Sequence, residues 1–206
     1  RMNGEGPRIE EFILVGLSYA KGEDGMVSRR RDYTPTANGA DGAPADAEHG
    51  GGAAHAAYLR DQVLPFVAGR FRTDETQRLF LGHSYGALLG TQILLSEPSL
   101  FSGYVLGSPS YWFDQHVMER MEQASAATLK DMPAKVYFYI GEYEAKRVGD
   151  PRYLQDDDMV EDARRMERTV QITGALRSAI AVARDLLAEL EIGQVLERRG
   201  FEQLAA

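Results

Sequence analysis

Short apolar runs alternate along this chain with longer stretches in which apolar residues recur at helical spacing. The runs are 12–18 (Phe-Ile-Leu-Val-Gly-Leu-Ser), 79–81 (Leu-Phe-Leu), 103–107 (Gly-Tyr-Val-Leu-Gly) and 135–140 (Lys-Val-Tyr-Phe-Tyr-Ile). Continuous apolarity of this length marks strands covered on both faces, as in a parallel sheet. Between them, 53–67 reads as a crossover helix ending near Pro65, 87–95 as an apolar helix and 114–129 as a mostly polar one. Met159, Val160, Ala163, Met166 and Val170 share one face of a further amphipathic helix. Leu176, Ile180, Ala183, Leu187 and Leu190 do the same over 174–190, and 192–206 is a polar tail. Strands alternating with helices predict the α/β class, and 206 residues suit a single domain spanning 1–206.

The stretch 19–52 breaks both periodicities with glycine, proline and charge, which predicts a flexible loop over about 20–52. Within it, Arg29, Arg30 and Arg31 precede Asp32-Tyr33-Thr34-Pro35-Thr36. Two readings of the arginines stand: a solvated patch partly neutralised by Asp32, or a cationic rim that orients a polar or anionic substrate.

Charge narrows the partners. A net charge of -8 and a pI near 5.1 argue against nucleic acid and anionic membrane, both of which need a basic face. No apolar run approaches the roughly 18 residues of a membrane span. The absence of cysteine excludes disulfides, thiolate zinc sites and cysteine nucleophiles. Asp156-Asp157-Asp158 stands at a helix start, where a cap with solvated neighbours accounts for it better than a metal does. The chain opens on Arg without a signal-peptide pattern, so something upstream is expected to be missing and the expected compartment is the cytoplasm.

Gly82-His83-Ser84-Tyr85-Gly86 lies between an apolar run and a helix-forming run, the context a G-x-S-x-G nucleophile elbow requires. A serine on a sharp strand-to-helix turn crowds its neighbours, hence the expectation that positions 82 and 86 must both lack side chains. Ser84 is the expected nucleophile. Tyr85, opening the helix, offers its N–H as the first oxyanion donor. The loop after 135–140 should carry the acid: Glu144 is the first choice and Glu142 the second. Tyr111, Trp112 and Phe113 follow the 103–107 run at its carboxyl end, where they line a pocket or fill the core.

A base is harder to find. The four histidines are His49, His55, His83 and His116, and His116, alone in following Ser84, precedes the acid strand. His83 flanks the expected nucleophile, a position where G-x-S-x-G hydrolases commonly carry a histidine that is not the base.

Together, the stretches 12–19, 30–36 (Arg-Arg-Asp-Tyr-Thr-Pro-Thr), 82–87 (Gly-His-Ser-Tyr-Gly-Ala), 108–112 (Ser-Pro-Ser-Tyr-Trp), 141–144 (Gly-Glu-Tyr-Glu) and 159–166 resemble the Putative esterase family of α/β hydrolases. The nearest branch is that of the enterobactin and salmochelin (siderophore) esterases, and the likeness runs from about 8 to 190. It implies a three-layer sandwich around a mostly parallel sheet, hydrolysis of a small-molecule carboxylic ester, Ser84 as nucleophile, no cofactor, and a pocket mouth bordered by Arg31 and Trp112. Against the family pattern, the chain starts downstream of additional N-terminal strands and the loop giving the second oxyanion N–H. It also has 168–174 where a strand and the catalytic histidine are expected. The resemblance therefore implies a base outside these residues; failing that, the alternative is a catalytically impaired binding protein or fragment.

Overall fold

The computed structural model describes residues 11–19, 21–39, 43–128, 132–172 and 178–182. Its centre is a four-stranded sheet of β1 (Leu79–His83), β2 (Gly103–Gly107), β3 (Lys135–Ile140) and β4 (Ser178–Val182), in that order. Every neighbouring pair is parallel, with Phe80 opposite Tyr104 and Leu106 opposite Phe138. Parallel neighbours need crossovers, and helices supply them: α4 (Tyr85–Ser96), α5 (Phe113–Ala126) and α6 (Met159–Ile172). These elements establish the α/β class expected from the alternating pattern.

One sheet face is sealed. Tyr104, Leu106, Val136, Phe138 and Ile140 are buried there with Leu88, Ile93, Leu94 and Met118 of the helices and Met166 of α6. Gly90 lets α4 settle onto this face, since a Cβ there would meet the Phe80 ring at 2.5 Å. On the opposite face Leu79 and Leu81 are exposed, so the described residues build two layers of the expected three.

The helical segment over 53–67 is present and longer than expected. It consists of α2 (Gly52–Tyr58), a π-helical turn (Leu59–Val63) and α3 (Leu64–Ala68). Pro65 does not end it. Proline lacks an N–H and crowds the preceding turn, and the wider π turn just before it is a way to keep helical winding.

Three expectations are corrected. Residues 12–18 form no strand: Phe12, Ile13, Leu14, Val15 and Leu17 are exposed, and among the described residues no strand lies alongside to take their backbone hydrogen bonds. The loop over 20–52 contains α1 (Gly25–Asp32), capped by Asp24, whose carboxylate accepts from the Met26 and Val27 N–H groups. Its arginines occupy the last turn, where the helix dipole favours cations. The return of that loop is tied down by buried Thr34, whose hydroxyl donates to the Arg30 carbonyl and accepts from the Gly50 N–H.

The third correction concerns 174–190. Ser178–Val182 is strand β4 and not helix, so the strand thought missing before the last helix is present in the sheet. Ser-Ala-Ile-Ala-Val fits either period, and the open edge of β3 offers backbone partners that outweigh a local helical preference. The rest of that predicted helix, and the tail 192–206, lie outside the described residues.

Candidate active site

Ser84 sits between β1 and α4 with φ 58° and ψ -119°. A serine holds such a conformation at a cost of about 1–3 kcal/mol, so the surroundings must impose it. They do so from two sides. The Ser84 N–H donates to the Gly107 carbonyl at 2.9 Å, extending the sheet one residue beyond β1, while its own carbonyl accepts from Ala87 and Leu88 to start α4. A Cβ at position 82 would overlap the Gly86 carbonyl, so Gly82 is sterically required. Gly86 is not, since a Cβ there would meet nothing within 4 Å, and the expectation of two crowded positions is corrected to one. The half-buried Tyr85 supplies the first N–H of α4, one of the donors that a helix start leaves without a partner inside the helix.

The next strand repeats the device. Ser108, one residue past β2, has φ 41°, and its N–H donates to the Tyr139 carbonyl at 2.8 Å. Its hydroxyl donates to Glu144 Oε2 at 2.6 Å. Glu144 closes a 3₁₀ turn (Glu142–Glu144) after β3, and the same Oε2 accepts from the Gly141 N–H at 2.7 Å. The carboxylate thus folds back toward the ends of β2 and β3. Glu142 lies half-buried on the same turn. Two residues past Ser108, the buried Ser110 brings its hydroxyl within 3.2 Å of Ser84 Oγ. Neither Ser108 nor Ser110 was singled out from the sequence; the signal was their position just beyond a strand lying between nucleophile and acid strands.

The aromatics divide. Tyr111 and Phe113 belong to the core, Tyr111 bonded through its hydroxyl to Thr91 at 2.8 Å. Trp112 stays half-buried with its ring centre 6.1 Å from that of Tyr85. Above the Tyr85 ring lies the Arg29 guanidinium, 5.9 Å from its centre. Burial raises the Tyr85 pKa, and Arg30 and Arg29 oppose the shift. Arg31 faces elsewhere, held by Asp32 at 2.7 Å and Glu23 at 2.9 Å. Hydrogen bonds from Arg31 and Ser28 lower the pKa of Glu23. The cations beside Tyr85 are therefore Arg29 and Arg30, which the sequence could not separate from Arg31.

Trp112 is anchored by an unusual stretch. Asp114, Gln115 and His116 have φ of 46°, 50° and 59°, so the regular winding of the expected polar helix begins only after them. Asp114 accepts from Thr36 Oγ1 at 2.7 Å and from Asn38 Nδ2, while Arg120 caps the Asp114 and Gln115 carbonyls. This pins the 34–38 strip of the arginine loop to the Trp112 segment.

No described histidine is hydrogen-bonded to Ser84. His116 Nδ1 lies 3.5 Å from buried Asp162, whose pKa burial raises against the pull of His116 and Arg165. The His83 ring is exposed and tilts toward Tyr139. His49 and His55 pack against Phe113 and Tyr33. Asp158 caps α6 by accepting from the Glu161 N–H, and among the described residues no cluster of three metal-ligating side chains occurs. A cavity of about 420 Å³ lined by Arg60, Pro65, Glu75 and Arg78 lies at the opposite end of β1 from Ser84 and takes no part in the site. No described helix is long and apolar enough to cross a membrane.

The Putative esterase family matches residues 4–175. The chain belongs to that family. It is 29 % identical over 154 residues to the ferri-bacillibactin esterase BesA of Bacillus subtilis, covering 70 % of this chain and 53 % of the relative. To a siderophore enterobactin esterase of Emericella nidulans it is 34 % identical over 124 residues, 55 % of this chain and 41 % of that protein. Among solved structures, the BES protein from Bacillus cereus superposes with a TM-score of 0.60 at 21 % identity, covering 76 % of this chain and 58 % of that one. That likeness supports the fold. The chain spans about half the length of these curated relatives. Both are named as esterases, the second as a siderophore esterase, in line with the branch its motifs resemble.

Proposed function

We propose that this chain carries the nucleophile and acid of a serine esterase that cleaves carboxylic esters through an acyl-enzyme. The observation that carries the reading is the Ser84 backbone at φ 58° on a strand-to-helix turn, an arrangement whose strain serves to present a hydroxyl. In the first step Ser84 Oγ bonds to the ester carbonyl carbon while its proton passes to a base. The carbonyl oxygen, now negative, takes the Tyr85 N–H. The C–O bond to the alcohol then breaks and the alcohol leaves with the proton; water cleaves the acyl-serine by the same route in reverse. Glu144 serves to orient the base.

Siderophore-type esters are the substrate class we infer, from the esterases this chain is similar to. Arg29 and Arg30, beside Tyr85 and Trp112, suit a substrate bearing negative charge. Treating the protein with a fluorophosphonate and locating the adduct by mass spectrometry tests the reading, alongside hydrolysis of a p-nitrophenyl ester series. Label is expected on Ser84 and lost in Ser84→Ala. Labelling that survives the substitution, or saturable ligand binding with no turnover of any ester, refutes it.

A further inference from the structure

We infer that the Ser108-Pro109-Ser110 turn is a positioning device that holds nucleophile and acid in register, Ser110 acting on the Ser84 hydroxyl and Ser108 on the Glu144 carboxylate. The inference rests on the esterase reading and adds to it two residues for which that reading has no role.

The sheet order makes the device possible. β2 lies between β1, which ends at the nucleophile, and β3, which leads to the acid, so only the turn leaving β2 borders both. Two backbone bonds fasten its start laterally: Ser84 N–H to the Gly107 carbonyl, and Ser108 N–H to the Tyr139 carbonyl. With φ at 41°, Ser108 occupies a backbone region that non-glycine residues avoid, although glycine would adopt it freely. The serine is retained at a conformational cost, and its hydroxyl makes the 2.6 Å bond to Glu144 Oε2. Together with the Gly141 N–H, that bond fixes one carboxylate oxygen.

Ser110 is 1 % exposed, and a buried hydroxyl needs a partner. Its partner is Ser84 Oγ, at 3.2 Å. With Ser110 as donor, the Ser84 proton stays directed toward the base and the charge building on Oγ during attack is stabilised. Pro109 between them fixes φ, so the two serines cannot shift independently.

The test compares wild type with Ser84→Ala, Ser108→Gly, Ser108→Asn and Ser110→Ala in saturation kinetics on p-nitrophenyl acetate, with melting temperatures and fluorophosphonate labelling of Ser84. Glycine relieves the backbone at 108 while removing the hydroxyl. Asparagine tolerates the left-handed region and restores a donor. Loss of one hydrogen bond to a charged or reacting group is expected to lower kcat about 10- to 100-fold in Ser108→Gly and in Ser110→Ala. KM should stay within about 2-fold, and Ser108→Gly should melt no lower than wild type. Ser108→Asn should recover most of the lost kcat. Wild-type kcat in Ser108→Gly and Ser110→Ala, with Ser84 still labelled, overturns the device while leaving the esterase standing; so does a kcat loss that merely follows a loss of melting temperature. A wild type that neither labels at Ser84 nor exceeds Ser84→Ala in turnover removes the esterase reading and the device with it.

Discussion

The two glycines of the elbow make a paired prediction with opposite signs. A Cβ at position 82 would overlap the Gly86 carbonyl and stand 2.9 Å from the Ala87 nitrogen, both backbone atoms of a helix start that cannot swing aside. Forcing a methyl group into such a contact costs about 1–3 kcal/mol. Position 86 is the reverse case: with nothing within 4 Å, a methyl group there is unopposed, and replacing glycine by alanine in a helix gains about 0.5–1 kcal/mol. For a domain of this size 1 kcal/mol moves Tm by about 2–4 °C. Gly82→Ala should therefore melt about 2–12 °C below wild type, and Gly86→Ala about 1–4 °C above it, by calorimetry or circular dichroism. Equal destabilisation by both substitutions would show that the helix start crowds the elbow from both sides, and the geometry argued above would be wrong.

Other predictions follow from the surroundings of the site. Asp114→Ala removes the acceptor that joins Thr36 and Asn38 to the Trp112 segment and leaves three positive-φ residues without their anchor; a loss of about 1.5–3 kcal/mol in urea denaturation is expected, and a neutral result would show the contact to be incidental. Burial lowers the His55 pKa, so the unfolded chain takes up that proton first as pH falls below about 6.5. Stability should decline over that window and level off below the folded pKa, and His55→Phe should shrink the Tm difference between pH 7.5 and pH 5. Arg31→Gln should leave KM for an anionic ester unchanged, because its guanidinium already serves Glu23 and Asp32. Arg29→Gln and Arg30→Gln should each raise that KM about 2- to 5-fold, less so at high salt and not for a neutral ester.

What could be read from the residues, and what could not, divides along the range of the interactions involved. The elbow was legible because its determinants are local: Gly82, Ser84 and the apolar start of α4 lie within a dozen residues and impose one backbone path. Strands β2 and β3 were legible because both are short apolar runs, although β3 is fully buried only at alternate positions. Apolarity alone failed at residues 12–18, where an apolar run has no strand beside it among the described residues, and at β4, where five small and branched residues follow the sheet edge offered to them. A strand is a statement about its neighbour, and one sequence window does not contain the neighbour.

The same distinction governs the site. Glu144 was preferred to Glu142 for its distance from a strand-ending glycine, a local quantity, yet one of the groups that hold it is Ser108, thirty-six positions away and just past another strand. Ser110 meets Ser84 across twenty-six positions, and Thr36 meets Asp114 across seventy-eight. Ser108, Ser110 and Thr36 lie in stretches that carry the family resemblance, but nothing local to them names these partners, since hydroxyl residues are common in turns for local reasons. What identifies them is backbone cost joined to a specific contact: Ser84 and Ser108 end adjacent parallel strands, both at positive φ, and each points its hydroxyl at another member of the site. Two strained serines side by side would be an unexplained expense for a protein that only needed to turn its chain. They are accounted for if the carboxyl edge of the sheet is built to hold three groups, the Ser84 hydroxyl, the Ser110 hydroxyl and the Glu144 carboxylate, in one fixed arrangement.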